Sequence, residues 1–244
     1  MRRPGKKFRD CVSSHPLRNT VSLESAIKQH TFYCETLQEL GLEVIHLPVD
    51  DDHADSCFVE DNVVVGKGRA LICRMGEKTR EGEQNGVARF LKEHMSVRWA
   101  TSPATVEGGD IIHHEGGLIS GVTQRTNIEG VKQLESWLNM PVKTITAPNI
   151  MHLKSYITYL GKGIMMATNQ YANHPLLSTF EIITPPRREE YAANTLAVGD
   201  SVLMPEGYDI THRIVRDRGF EVIPVKISEM QKCDGALTCL SILF

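Results

Sequence analysis

Five times along the chain, a stretch with helical spacing is followed at once by a short apolar run that stops at a proline. The clearest helical stretch is Leu23–Leu40, where Leu23, Ala26, Ile27, His30, Cys34 and Leu37 share one stripe. The second is Glu83–Met95, with Val87, Phe90, Leu91 and Met95 in register, and weaker versions cover Ile128–Leu138, Gln170–Ser178 and Tyr208–Arg218. The apolar runs are Leu42–Leu47, Val97–Ser102, Val142–Ala147, Phe180–Thr184 and Glu221–Ile223, closed by Pro48, Pro103, Pro148, Pro185 and Pro224. Proline offers no N–H to a ladder, so it marks strand ends and edges. More strand-like sequence follows most of these prolines, best seen in Phe58–Val65 with Ala70–Cys73, Ile111–His113 with Leu118–Gly121, and Tyr156–Leu160 with Ile164–Thr168.

The unit is helix, strand, proline, strand, at a period of roughly 40–55 residues, within the range of repeat architectures. Pairing a strand-like piece near Phe8–Val12 with the last segment, Ala236–Phe244, closes five βαβ-type modules into a ring. A doubly wound sheet also alternates helix and strand. The placement of polar residues separates the two. Glu60-Asp61, Glu107, His152, Asn194 and Cys239 each follow one of the five prolines. In a ring they converge on the axis; in an open sheet they spread along an edge. An α/β ring in a single domain, residues 1–244, is therefore the predicted architecture.

With 27 basic and 30 acidic residues the net charge is −3, and no arginine-rich tract follows the short basic start. A nucleic-acid partner is not expected. No run approaches the ~20 apolar residues of a membrane span, and no apolar segment follows the basic N-terminus as in a secretory signal. Cys11, Cys34, Cys57, Cys73, Cys233 and Cys239 form no C-x-x-C pair and show no zinc-type spacing, so reduced thiols in a cytoplasm are expected. Asp50-Asp51-Asp52 reads as a solvated loop. A homodimer is expected only from the frequency of twofold assemblies.

Individually, the polar residues carry little. A cysteine in Leu237-Thr238-Cys239-Leu240 usually behaves as a small core hydrophobe, and one histidine of ten is commonly structural. In Glu107-Gly108-Gly109-Asp110 the glycines permit either a turn or close backbone approach. Glu60-Asp61 interrupts an otherwise strand-forming run, Phe58–Val65, and buried carboxylates call for a cation. Together, a cysteine, a histidine and a carboxylate make a nucleophile with its acid/base, scattered in sequence and gathered in space.

The segments Asp55–Asp61, Glu107–Asp110, Gln124–Asn127, His152–Ser155 and Asp234–Cys239 occur in the same order as in dimethylarginine dimethylaminohydrolases. The chain resembles that family, within the guanidino-modifying enzymes that include arginine deiminase, from about Cys11 to Leu243. The resemblance implies a pentein fold, a five-bladed α/β propeller with its site on the axis. It implies Cys239 as nucleophile, His152 as general acid/base and Glu107 as the carboxylate orienting that histidine. Glu60 and Asp61 match the acidic pair beside the guanidinium, and Arg80 and Arg125 the two arginines on the substrate carboxylate. Leu17 (through its backbone), Asp55 and Asp234 match contacts at the amino-acid end or the site wall. An arginine-type small molecule is then the expected partner, with no metal or other cofactor. Arginine deiminase or dihydrolase activity, and a non-catalytic amino-acid binder on the same fold, are the alternatives.

Overall fold

The computed structural model describes residues 1–244. Its helices are α1 (Leu23–Glu39), α2 (Gln84–Leu91), α3 (Ile128–Leu138) and α4 (Asp209–Arg216), with one further turn of helix at Ser228–Gln231. Local chemistry sets their ends. The Ser22 hydroxyl accepts from the Ser25 N–H to start α1, and Gly41, at φ +85°, releases the chain after it. Asn127 caps α3 through the Gly130 N–H, and Asn139 ends it in the left-handed region.

Twelve strands form four sheets of three. They are β1 (Val63–Gly66), β2 (Arg69–Ile72) and β3 (Ser96–Trp99); β4 (Ile111–His114), β5 (Gly117–Val122) and β6 (Val142–Thr146); β7 (Ile157–Gly161), β8 (Ile164–Ala167) and β9 (Glu181–Ile183); and β10 (Leu196–Val198), β11 (Ser201–Pro205) and β12 (Glu221–Val225). In each sheet the first strand is antiparallel to the second, and the third runs parallel to the second after a crossover. Two hairpins turn through Lys67-Gly68 and Lys162-Gly163, all at positive φ, which suits the tight turn between twisted strands. β4 packs on β7, and β7 on β10, so the first strands face one another.

The core lies between blades. One cluster joins Val64 and Leu71 of the first blade to Ile111, Leu118, Leu134 and Leu138 of the second. Another joins Leu160 and Met166 to Val202, Met204 and Val215. Each blade therefore buries its faces on its neighbours, as repeat units must.

The fifth module departs from the expected sheet. It has α1, but Leu42–Leu47 is extended without a ladder, touching Met1 through Leu47 N–H to Met1 O (2.8 Å) and the Met1 amine to Ile45 O (2.8 Å). Phe8–Val12 is not a strand. Lys6–Asp10 coils into a 3₁₀ turn that buries Phe8 against Phe58, in a core shared with Tyr33 and Leu237. The expected helix at Gln170–Ser178 is also absent; Pro175 opens a 3₁₀ turn, Pro175–Leu177, because its ring cannot continue a helix entered from before it.

The cysteines correct the expectation of reduced thiols throughout. Cys11 and Cys233 are joined in a disulfide across 222 residues, while Cys34, Cys57, Cys73 and Cys239 are free. No local spacing announces a pair whose partners meet only when the ring closes.

Candidate active site

A 3₁₀ turn precedes the first strand of every blade: Val59–Asn62, Gly108–Asp110, Leu153–Ser155 and Arg187–Ala193. A fifth, Thr238–Leu240, stands at the same place in the incomplete module. These turns pack successively on one another, and Asn194 links the fourth to the fifth, accepting from Thr238 N–H (3.1 Å) and donating to its hydroxyl (3.0 Å). The polar residues that recur after the prolines therefore do gather at the centre. Cys239 lies on a turn rather than on a terminal strand, and the residue is only partly buried while its neighbours Thr238 and Leu240 are buried.

His152 and Glu107 occupy equivalent positions, each just before its turn, in extended backbone. His152 Nε2 is 2.7 Å from Glu107 Oε2 and 3.7 Å from Asp61 Oδ1. Glu107 is fully buried, and its other oxygen accepts the Gly76 N–H at 2.8 Å. The two glycines serve close approach, since neither has positive φ. A Cβ on Gly108 would lie 2.0 Å from the Glu60 carbonyl oxygen, and one on Gly109 would lie 2.8 Å from His152 Cγ. Only glycine lets three turns meet so tightly.

Charge is strongly organised here. Burial by itself would lower the His152 pKa, but Asp61 and the hydrogen-bonded Glu107 outweigh it and hold the imidazolium up to about 9. Burial, with Asp61 and Glu60 nearby, pushes the Cys239 thiol far above its ordinary range. The site by itself thus holds a protonated imidazole and a protonated thiol at neutral pH.

Cys239 and His152 line one small cavity of about 30 Å³ together with Asp55, Asp61, Arg125 and Asp234. That is room for roughly one or two waters, so an amino acid enters only if the cover moves. The cover is the segment after Cys11. Val12 N–H donates to Asp55 Oδ2 (3.1 Å), Ser14 N–H and hydroxyl donate to Asp234 Oδ2 (2.6 and 3.0 Å), and Ser13 Oγ donates to the Lys232 carbonyl (2.8 Å).

The remaining sequence candidates divide. Asp61 lines the cavity and pairs with Arg80 (2.7 Å). Its neighbour Glu60 does not line it: one oxygen meets Lys154 Nζ at 2.6 Å, the other accepts from Thr238 Oγ1 at 2.7 Å, and a larger cavity of about 360 Å³ opens beside it. The 3₁₀ turn sends the two carboxylates different ways, where a strand was expected. Arg80 borders the cavity, yet its nitrogens are taken by Asp61, Glu83 and the Phe58 carbonyl, so here it holds Asp61 in place. Arg125 differs: its buried NH1 makes no hydrogen bond and stands in longer ion pairs, 3.6 Å from Glu77 Oε2 and 3.8 Å from Glu107 Oε1. Leu17 is 52% exposed, and its carbonyl accepts from Thr20 N–H and Thr20 Oγ1. It stands outside the cavity.

A family pattern described as N,N dimethylarginine dimethylhydrolase, eukaryotic, matches residues 10–241. The N(G),N(G)-dimethylarginine dimethylaminohydrolase of Pseudomonas aeruginosa is 33% identical over 250 residues, covering 100% of this chain and 97% of that protein. The chain belongs to the dimethylarginine dimethylaminohydrolase family. The relative of that name from Streptomyces coelicolor is also 33% identical, over 99% of this chain and 95% of its own. A cysteine-to-serine mutant of the Pseudomonas aeruginosa enzyme, complexed with citrulline, superposes with a TM-score of 0.96 at 31% identity, covering 100% and 97% of the two chains. The N-terminal domain of a cyanobacterial arginine dihydrolase shares the fold, with a TM-score of 0.90 at 20% identity. The fold is thus the pentein propeller.

Within this dimethylarginine dimethylaminohydrolase family member, Asp61, Glu107 and His152 bring ligand atoms within 4.8 Å of one another, the only such cluster suited to a metal ion. Arg80 and the imidazolium already neutralise its carboxylates. Sequence reasoning assigned no role to Lys154, Thr238, Glu83 or the Cys11–Cys233 bridge. Lys154 and Thr238 stood beside named residues in quoted motifs; Glu83 and the bridge carried no local signal.

Proposed function

We propose that this family member hydrolyses the guanidinium group of N-omega-methylated arginine, with Cys239 as nucleophile, giving citrulline and the methylated amine. The observation that carries the reading is that the only free cysteine not fully buried shares a cavity with His152, which Glu107 holds, with Asp61, and with an Arg125 whose NH1 makes no hydrogen bond. The relatives' names supply the substrate class.

A guanidinium is delocalised and resists attack. Asp61 binds the cation by charge-assisted hydrogen bonds, and Arg125 takes the substrate carboxylate, with Asp55 and Asp234 at the ammonium end. Burial and the nearby carboxylates hold the Cys239 thiol up; a cation bound beside it stabilises the thiolate, and the thiol loses its proton to solvent. The thiolate adds to the guanidinium carbon. His152, held protonated by Glu107, gives its proton to the departing nitrogen, and the C–N bond breaks to leave a thiouronium. The neutral imidazole then takes a proton from water; the hydroxide adds to the same carbon, the C–S bond breaks, and the hydroxyl proton passes to the departing thiolate, which releases citrulline and restores the thiol. Asp61, Glu107 and the imidazole carry the charges, so the scheme uses no metal or other cofactor. Glu60, placed behind Thr238, acts on the thiol through its charge.

The deciding assay incubates the protein with arginine and with its mono- and dimethylated forms and measures ammonia, methylamine and dimethylamine. Dimethylamine release faster than ammonia release supports the reading. Ammonia from arginine as the main product makes the chain an arginine deiminase or dihydrolase, and no product with retained arginine binding makes it a non-catalytic binder.

Two further outcomes follow from the assigned roles. Arg125→Ala should raise KM by about 10–100-fold with little change in kcat, if the guanidinium serves only to anchor; the check is steady-state kinetics on substrates with and without a carboxylate. For pH, the acting form of His152 is the protonated one. Its pKa is raised to about 9 and the free thiol is protonated, so kcat/KM should rise with pH through neutrality and level off at about 9. With the thiol ionised in the complex, kcat should hold through neutrality and fall as the imidazolium loses its proton. A profile that falls instead near an ordinary histidine pKa would show the imidazole is not held by Glu107.

We also propose that all 244 residues act as one catalytic domain without a nucleic-acid partner, that the protein forms a homodimer, and that it works in a cytoplasm. No helix is long and apolar enough to cross a membrane. The cystine narrows the last point to a cytoplasm whose redox balance preserves buried disulfides. Light scattering and cell fractionation test these expectations.

A further inference from the structure

We propose that Asp110 is a positioning residue, one buried carboxylate that locks the loop of His152 to the loop of Arg125. This rests on the roles assigned above to those two residues. Asp110 closes the turn that follows Glu107 and is fully buried. Its Oδ1 accepts the N–H of Leu153, the residue after His152, at 2.8 Å. Its Oδ2 accepts the Thr123 hydroxyl, also at 2.8 Å. Thr123 Oγ1 in turn accepts the N–H groups of Arg125 (3.1 Å) and Thr126 (3.3 Å), and Thr126 Oγ1 accepts the N–H of Glu107 (3.1 Å). The hydrogen bonds therefore close a circuit through the general acid/base, the carboxylate that orients it, and the substrate anchor.

The site is built around this carboxylate. Gly121 on β5 leaves room for it: a Cβ there would lie 2.8 Å from Asp110 Oδ1 and 3.0 Å from Leu153 Cβ. No lysine or arginine pairs with Asp110, although buried carboxylates ordinarily have such a partner. Burial pushes its pKa up to about 6, against the pull of the His152 imidazolium and the threonine hydroxyls. It is still ionised at neutral pH, and its charge acts on His152. The other groups that set the charge at His152 are Asp61, Glu107 and the Cys239 thiol, with Arg80 beyond Asp61. Of the three carboxylates, Asp110 alone reaches the histidine through its backbone neighbour rather than its ring. It fixes where the ring stands while Glu107 fixes how it points.

The test uses the full chain with Asp110→Asn, Thr123→Val and Thr123→Ser. Steady-state kinetics run from about pH 6 to about pH 10, on whichever arginine-type substrate the product assay selects and on its counterpart lacking the carboxylate. Asp110→Asn keeps the shape and an acceptor for Leu153 but removes the charge and the acceptor for Thr123. It should lower kcat by about 10²-fold, the scale of a misplaced catalytic group, and move the alkaline limb down by ~0.5 pH unit or more. Thr123→Val keeps the Asp110 carboxylate and its bond to Leu153 but removes the hydroxyl that ties it to the Arg125 loop. It should raise KM about fivefold, the worth of one hydrogen bond, for the carboxylate substrate alone, with the limb unmoved and with recovery in Thr123→Ser. A purely structural role lowers thermal stability and leaves both the limb and the KM contrast as in the parent. That result overturns the proposal. If Asp110→Asn does not fold, the threonine pair decides: wild-type KM in Thr123→Val also overturns it. A parent enzyme with no alkaline limb would instead mean that the role given to His152 has failed, a distinguishable outcome.

Discussion

Cys239→Ser should lower kcat by at least ~10²–10⁴-fold, the scale of losing a key catalytic group, while the protein stays folded and still binds substrate. Cys34, Cys57 and Cys73 are buried, and Cys11 and Cys233 are spent in the disulfide, so no other sulfur can substitute. A serine hydroxyl fills nearly the same space but ionises far less readily than a thiol, and the burial and carboxylates that raise the thiol act equally on an alcohol. The binding groups, Asp61, Asp55 and Arg125, are untouched. Calorimetric titration of the variant with substrate should therefore give affinity near the parent's KM. Mass spectrometry of the quenched parent, and not of the variant, should show a covalent adduct on Cys239. Parent-like turnover in the serine variant would end the nucleophile assignment. Lost turnover with lost binding would show that Cys239 shapes the pocket instead.

The second large effect concerns stability. Breaking the Cys11–Cys233 bridge should cost about 5 kcal/mol, since the loop it closes spans 222 residues and the chain-entropy gain of a crosslink grows with loop length. This is an upper figure, because native strain and residual order in the unfolded chain reduce it. Both sulfurs are buried, so the double variant Cys11→Ala, Cys233→Ala is preferable to serines, which would bury hydroxyls without partners. Urea unfolding of the double variant and of the reduced parent should show the same lowered midpoint. The bridge also anchors the base of the segment that covers the cavity, leaving Ser13 and Ser14 as its remaining ties to Lys232 and Asp234. An unchanged midpoint in both samples would mean that the ring is closed by packing alone.

How much was legible follows from whether a signal is local. The stripes of Leu23–Leu40 and Ile128–Leu138 needed only neighbours three or four residues away, and α1 and α3 formed where expected. The helix expected at Gln170–Ser178 is absent for an equally local reason, Pro175, whose ring admits only a 3₁₀ turn there. Phe8–Val12 has strand-like composition, but burying Phe8 against Phe58 is worth more than a ladder with no partner strand beside it. At the site, His152 and Glu107 were found because their motifs carry unusual residue types, and Asp110 was overlooked because its partners, Leu153 N–H and Thr123, are ordinary groups from other blades.

By itself, the sequence determined the recurring helix-and-strand unit, the family, and the residue types available at five equivalent turns, because each is written in short-range order. Only the tertiary structure decided that Glu60 turns to Lys154 while Asp61 turns to the cavity, that Arg80 is hydrogen-bonded to Asp61 and Glu83 while Arg125 NH1 makes no hydrogen bond, and that Cys11 reaches Cys233. The reason is that these outcomes depend on which charge and which carbonyl stand opposite once the turns pack together, and ring closure brings those partners from segments far apart in the chain.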